Sequence, residues 1–188
     1  MARIGLNSFR YSKLTEAQDG TPSYAGALTP GKAISCNVSI TNNDVKLYAD
    51  DALAESDTSF SGGTVTMTVD NADLTTLSNL LGHTLSDTTP AVMTRNSNDT
   101  APYVGLGRII MMMVNNVVSY KVEFLYKVKF SEPSQDETTK GETVEFGTTE
   151  LQGTIAQLAS GKWSDTAVFT TKADALTYLE GLLGTTSV

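Results

Sequence analysis

Apolar and polar residues alternate from Tyr120 to Phe130. The even-numbered side chains are aromatic or β-branched and would share one face of a strand; they are Tyr120, Val122, Phe124, Tyr126, Val128 and Phe130. The odd-numbered side chains are mostly charged and would share the other face; they are Lys121, Glu123, Leu125, Lys127 and Lys129. These residues would span roughly 37 Å at about 3.4 Å each, which is long for a strand. The pattern is typical of a strand in an antiparallel β-sandwich or partial barrel.

A second strand is predicted just before it, from Tyr103 to Val114, with Asn115-Asn116 between the two. Asparagine tolerates the left-handed backbone of a two-residue hairpin turn, so the numbers of paired residues should sum to about 231. This register pairs two glycines with rings that can cover their bare backbone, and it joins opposite charges. The predicted pairs are Met111–Tyr120, Ile109–Val122, Arg108–Glu123, Gly107–Phe124, Leu106–Leu125 and Gly105–Tyr126.

The second face of this hairpin is also apolar, so the hairpin should be buried on both sides. One side can face the core of the chain, and the other needs a second layer. That layer is either a local helix of this chain or another subunit. The subunit hypothesis places Leu106, Arg108, Ile110, Met112 and Glu123 at an interface, with Lys121, Lys127 and Lys129 there or on the outside.

Other alternating segments and two short helices complete a mainly β prediction for a single domain, 1–188. Residues 1–32 form an N-terminal arm or strand, and Ala33–Thr41 and Thr64–Val69 alternate. A helix is predicted over Asp70–Gly82, capped by Asp70 or Asn71, with Leu74, Leu77 and Leu81 as its apolar stripe. A C-terminal helix within 171–184 begins with a capping box of Thr171 and Asp174.

Residues 42–63 are predicted to be a long acidic connection, with Lys46–Tyr48 as a possible short strand. This segment has a single base, Lys46, and its acidic residues are Asp44, Asp50, Asp51, Glu55 and Asp57. Long loops in compact domains are usually functional or mobile, and the alternative is a solvated surface loop. The spacing of the acidic residues does not match a calcium-binding EF-hand loop.

Composition narrows the possible functions. A net charge of −8 argues against ordinary nucleic-acid binding, which needs a basic face. We expect no signal peptide and no membrane span, and synthesis in a cytoplasm. The single histidine, His83, and the lone Cys36 suggest no metal site, and no nucleophile motif is present. The sequence therefore predicts neither an enzyme nor a cofactor.

Several stretches together resemble the major tail, or tail tube, proteins of long-tailed bacteriophages, notably those that infect Gram-positive bacteria. The stretches occur in matching order and cover most of the chain. The first is Ile4-Gly5-Leu6 through Phe9-Arg10-Tyr11, and the second is Lys32 to Ile40, continued by Asn42-Asn43-Asp44 and Leu47 to Asp51. The third is Tyr126 to Pro133 with Thr139 to Glu142 and Val144 to Phe146, and the fourth is Gly153-Thr154-Ile155 followed by Gly161-Lys162-Trp163.

The resemblance implies a structural protein of the virion, made in the host cytoplasm. Its subunits would form hexameric rings that stack into a tube whose lumen holds the tape measure protein and later conducts DNA. Other partners would be the tail tip or initiator proteins and the terminator proteins. The acidic connection would be an arm that orders against neighbouring subunits, and its contact residues would be Asp44, Lys46, Leu47, Tyr48, Asp50 and Asp51.

The lumen hypothesis concerns small, polar side chains without cations, which offer DNA no phosphate anchors. These residues are Ser35, Asn37, Ser39, Thr41, Thr64, Thr66, Thr68 and Asp70. Two alternatives remain open. A tube subunit of a contractile tail or tailocin would share the fold. A monomeric β-sandwich binding module would instead expose aromatic residues, for which Trp163, Tyr24 and Tyr103 are the candidates.

Overall fold

A computed structural model describes residues 2–49, 52–134 and 147–184. The described chain is mainly β, with one large antiparallel sheet and two short helices, as predicted. Its elements are β1 (Ala2–Glu16), β2 (Pro22–Tyr24), β3 (Ala33–Ala49), β4 (Ala52–Val69), α1 (Leu74–Leu81), β5 (Thr84–Leu85), β6 (Met93–Thr94), β7 (Tyr103–Val114), β8 (Val117–Phe130), β9 (Thr149–Ala156), β10 (Ser164–Phe169) and α2 (Lys172–Leu182).

The large sheet has the order β2-β1-β7-β8-β9-β4-β3, and β10 also pairs with β8. The first half of β8 therefore pairs with β10 and the second half with β9. The sheet curls so that β3, at the far end of the sheet order, lies close to β7. The Arg108 guanidinium on β7 donates a 3.3 Å hydrogen bond to the carbonyl of Cys36 on β3. This closure gives a partial barrel. The predicted N-terminal arm is an integral strand, β1, between β2 and β7.

The β7–β8 hairpin confirms the predicted turn and most of the register. Asn115 and Asn116 have φ angles of 49° and 65°, as a two-residue primed turn requires. Arg108 pairs with Glu123, Ile109 with Val122, and the other pairs from Leu106 to Met111 also match.

A β-bulge overturns the predicted register beyond Leu106. The rule that paired numbers sum to 231 would place Val104 opposite Lys127, but Val104 pairs with Val128. Two residues, Tyr126 and Lys127, therefore lie opposite the single residue Gly105. The extra residue shifts the alternation of side chains between the two faces. Val128 and Phe130 consequently join a different core from Phe124 and Tyr126, and the prediction that all four share one face is wrong.

Gly105 and Gly107 are covered by neighbouring side chains, but not by the rings predicted to face them across the ladder. A methyl group at Gly105 would lie 2.5 Å from Cε1 of Tyr24 and 2.9 Å from Cζ of Phe124. One at Gly107 would lie 2.1 Å from Cδ1 of Leu179 on α2. Both glycines therefore allow side chains to pack directly on the backbone of β7.

The sheet separates two apolar cores, and the cross-strand register fixes which residues face each one. The inner face packs against α1 and includes Phe9, Val65, Leu106 and Leu125. The outer face packs against α2 and includes Ile109, Val122, Phe124 and Leu179 of that helix. We use the terms inner face and outer face for these two sides of the sheet.

The first helix is shorter than predicted and has a different cap. Asp73, not Asp70 or Asn71, accepts the N-terminal hydrogen bond, from the backbone N–H of Thr76. Gly82 ends α1 in the left-handed conformation, as expected. Leu77, Leu80 and Leu81 are buried, whereas the predicted stripe residue Leu74 is 42% exposed because it lies at the first position of the helix.

The second helix has the predicted capping box. The Thr171 hydroxyl accepts a hydrogen bond from the Asp174 N–H and donates one to the Asp174 carboxylate.

The prediction of a loop over residues 42–63 is wrong. In the described residues 42–49 and 52–63, the backbone continues β3 and β4 as a long antiparallel pair.

Candidate assembly surfaces

The end of the β3–β4 hairpin projects beyond the sheet. Strand β9 pairs with β4 only from Gly63 to Val69. Residues 42–49 and 52–60, here called the ribbon, pair with each other and with no other strand of the described chain. The ribbon is about 27 Å long at about 3.4 Å per residue. A two-stranded hairpin without further packing is marginally stable in water, so contact with another molecule would stabilise the ribbon.

The root of the ribbon is fixed by packing and by a change of register. The rings of Phe60 and Trp163 stack at 4.7 Å between centroids and 4° between planes. The register shifts between Thr41 and Asn42, where a bulge increases the local twist. The direction of the ribbon is thus set where it leaves the sheet.

The predicted contact residues of the acidic segment fall on the ribbon. Asp44 is exposed on β3, and the backbone of Lys46, Leu47 and Tyr48 continues that strand. Asp50 and Asp51 lie outside the described residues. Residues 42–63 contain five acidic residues and one basic residue, so the segment is strongly anionic.

The predicted lumen residues, apart from Asp70, form one continuous polar surface on the outer face of the sheet. Ser35 pairs with Thr68, Asn37 with Thr66, and Ser39 with Thr64, with a 2.9 Å hydrogen bond between the hydroxyls of the first pair. The set includes exposed positions, Ser35, Asn37, Ser39, Thr41 and Thr64, and half-buried ones, Thr66 and Thr68.

The sequence predicts a short strand over Leu151 to Ile155, which the structure confirms as part of β9, but the lumen hypothesis did not include its polar residues. Glu150, Gln152 and Thr154 on β9 are exposed and pair with Thr68, Thr66 and Thr64 respectively. Their alternation with the buried residues Leu151, Gly153 and Ile155 was a signal that could have found them. The polar surface, here called the bare half of the outer face, therefore spans residues 33–41 of β3, 64–69 of β4 and 149–156 of β9, and these three stretches contain no lysine or arginine.

Asp70 does not belong to the bare half. It follows the end of β4, and its carboxylate accepts hydrogen bonds from the backbone N–H groups of Lys32, at 2.7 Å, and Asn71, at 2.8 Å. The bond from Lys32 is the main reason that the pKa of this exposed carboxyl lies below its usual value. Asp70 fixes a turn, because a short acidic side chain next to free N–H groups bonds to the backbone.

The lysines of β8 do not share one face, which corrects the prediction for them. Lys121 lies on the inner face and pairs with Glu123. Beyond the bulge, Lys129 pairs with Thr154 and so borders the bare half. The ammonium groups of Lys127 and Lys129 lie 4.8 Å and 5.5 Å from the centre of the Tyr103 ring, and that of Lys127 also contacts the Glu16 carboxylate on β1 at 2.5 Å. The bulge separates these lysines from Lys121 because it reverses the alternation.

The apolar second face of the β7–β8 hairpin is covered by this chain itself. Leu106, Ile110 and Met112 are buried in the isolated chain, so the second layer that they require is already present. Leu106 belongs to the inner core, which includes residues of α1 and of other strands of the sheet. The interface hypothesis for these three residues is therefore wrong, since alternation cannot distinguish a layer of the same chain from a foreign one.

Arg108 and Glu123 also point into the chain, which corrects their assignment to an interface. Arg108 donates from Nε to the Glu123 carboxylate at 2.8 Å, and Lys121 donates to the other carboxylate oxygen. Burial alone would raise the pKa of Glu123, but the contacts with Lys121 and Arg108 hold it below its usual value. Arg108 and Glu123 border a cleft of about 280 Å³ that is also lined by Cys36 and Trp163.

The aromatic residues proposed for a binding module do not form a platform. Trp163 is occupied by its stack with Phe60, and the Tyr24 hydroxyl donates a 2.8 Å hydrogen bond to the carbonyl of Tyr126. Tyr103 is the exposed one of the three. In the described ranges, no three His, Cys, Asp or Glu side chains are grouped to hold a metal ion.

Comparison with known proteins adds no assignment. No model of a known protein family matches the chain, and a search of curated proteins found no match either. Neither helix in the described part of the chain has the length and apolar character needed to cross a membrane.

Proposed function

We propose that this chain is the structural subunit of a phage tail tube. Copies would form hexameric rings that stack around a lumen, which holds the tape measure protein and then conducts DNA. Tail tip or initiator proteins would start the stack and terminator proteins would end it. The role needs no catalytic residue and no cofactor.

The projecting ribbon is the observation that carries this proposal. A ribbon of about 27 Å that pairs with no further strand of the described chain leaves the outer edges of two strands without backbone partners from that chain. Burial against neighbouring subunits would stabilise it. The resemblance to tail tube proteins implies an arm to neighbouring subunits at this same point in the sequence.

The bare half of the outer face supports a lumen lining. Its hydroxyl and amide groups provide no positive charge to hold DNA phosphates, and Glu150 adds a negative charge. The sheet also ends in two strands, β2 and β3, that each have one unpaired edge in the described chain. Such edges are templates for pairing with another chain, as a ring of joined sheets requires.

Trimming the ribbon tests the proposal. Asn43 and Ser59 are paired, so residues 44–58 can be replaced by an Asn-Gly turn that closes a shorter hairpin. We expect the variant to remain folded and monomeric, with a β-sheet circular dichroism spectrum and a cooperative thermal transition, but to form no tubes or six-fold rings in negative-stain electron microscopy. The full-length chain, at high concentration across a salt series, should form them.

A matched control keeps the length of the ribbon and replaces only Asp57 with Asn. It separates loss of the arm from loss of one charge, and we expect it still to assemble. Normal tubes from the trimmed chain would contradict a role of the ribbon in assembly. If the full-length chain stays monomeric under all conditions, the result favours the binding module. A contractile tail tube would give the same tubes and is distinguished by binding of a sheath protein.

A further inference from the structure

The single histidine of the chain lies between two carboxylates. His83 follows α1, and its side chain is 7% exposed. Its Nδ1 lies 2.7 Å from Oδ2 of Asp99, and its Nε2 is in hydrogen-bond contact with Oε1 of Glu132. Asp99 precedes β7 and Glu132 follows β8, so one ring connects three separate segments of the chain.

Both contacts can be hydrogen bonds only if the ring is charged. Neutral imidazole has one N–H group and one lone pair, whereas the imidazolium form donates from both nitrogens. A carboxylate accepts hydrogen bonds but cannot donate. A neutral ring would therefore turn a lone pair toward one of the two carboxylates.

The surrounding groups differ at the two ends of the ring. Asp99 also accepts a 2.8 Å hydrogen bond from the backbone N–H of Asn96, and its side chain is 15% exposed. Glu132 is 51% exposed and lies 3.8 Å from Nε of Arg95. The Ser78 hydroxyl on α1 donates to the backbone carbonyl of His83 and holds the residue in place.

We propose that His83 is a pH-sensitive latch, which in its protonated form ties the end of α1 to the Asp99 segment and to the end of β8, and which releases Glu132 when it loses a proton. The proton that leaves is the one on Nε2. The Nδ1–H bond to the more buried Asp99 remains, and Glu132 keeps Arg95 as a neighbour. The latch does not depend on the proposed role in a tail tube.

The sign of the pH effect follows from the contacts. The hydrogen bond with Asp99 is the main cause that raises the pKa of His83, burial opposes it, and Glu132 raises it further. A pKa that is higher in the folded than in the unfolded chain gives stability that is present below the unfolded value, about 6.5, and is lost as the pH rises through the folded value. The latch is therefore closed in acid and open in base.

Nuclear magnetic resonance can test the latch directly, because one histidine gives unambiguous imidazole signals. We expect a titration of the full chain to give a pKa above about 6.5. Above that pKa the ¹⁵N shifts should show the Nδ1–H tautomer. Glu132→Gln should lower the His83 pKa, and Asp99→Asn should lower it more. The control Glu150→Gln removes an exposed carboxylate on β9 and should leave the pKa unchanged.

The thermal midpoint gives a second readout. The difference in midpoint between about pH 6 and about pH 8.5, on either side of the ordinary histidine value, should be smaller in Glu132→Gln than in the parent chain. Glu132 is half exposed, so we expect this variant to fold. A His83 pKa at or below its ordinary value, or one that neither variant changes, would overturn the proposal. An Nε2–H tautomer in base would also overturn it.

Discussion

The two halves of the outer sheet face have the same alternation but opposite environments. On β7 and β8, Ile109, Val122 and Phe124 lie under α2 and form a core. On β3, β4 and β9, residues on the same side, such as Ser39 and Gln152, face solvent. The comparison teaches that the alternation of side chains identifies a strand, but not what covers it. Whether the side chains on the outer face are apolar or polar decides which half a helix covers.

The contacts of α2 define where the covered half ends. The helix has 11 residues, which span about 16 Å, and it contacts β7, β8 and β10. Gly107 permits close approach of Leu179, and Arg10 on β1 pairs with Glu180 at 3.4 Å. Strands β9 and β4 follow β8 in the sheet order, on the side away from β7.

The largest effect should come from removing the helix contact of the covered half. Leu179 is fully buried over Gly107. Leu179→Ala should lower the free energy of unfolding by about 2–5 kcal/mol, because it removes apolar contacts and leaves a cavity. Chemical denaturation measures this change. The control Thr177→Ala, at an exposed position of the same helix, should have little effect, and equal losses would contradict the comparison.

A pair of nearly isosteric exchanges should have a smaller and asymmetric effect. Val122→Thr places a hydroxyl in the core under α2 and should cost about 1–3 kcal/mol of unfolding free energy. Thr66→Val, the reverse exchange on the bare half, should change it by less than about 0.5 kcal/mol. Similar costs at the two sites, measured by the same denaturation experiment, would mean that the two halves do not differ in burial as described.

The smallest effect on stability, but a clear one on the proposed function, should come from lysines on the bare half. Ser39→Lys with Thr66→Lys should leave unfolding nearly unchanged. In phage particles it should slow DNA ejection, since the new charges attract phosphates. The control Thr94→Lys, an exposed position on β6, should not affect ejection. Normal ejection by the double variant would show that this face does not line the lumen.

The sequence by itself determined the local features. The turn at Asn115-Asn116, the register of Arg108 with Glu123 and the cap at Thr171 depend on neighbouring residues, and the structure confirms all three. Side-chain alternation also identified the polar positions of β3 and β4. Such features are readable because their physical causes lie within a few residues or one hairpin.

Only the tertiary structure decided what the strands face. The bulge at Tyr126 and Lys127 moved Val128 and Phe130 to the inner core, and the curl of the sheet covered Leu106 with the chain's own strands. The meeting of His83 with Asp99 and Glu132 likewise joins three distant segments. The alternation of residues determines which side chains share a face of a strand. The packing of distant segments determines which face is buried and which residues cover it.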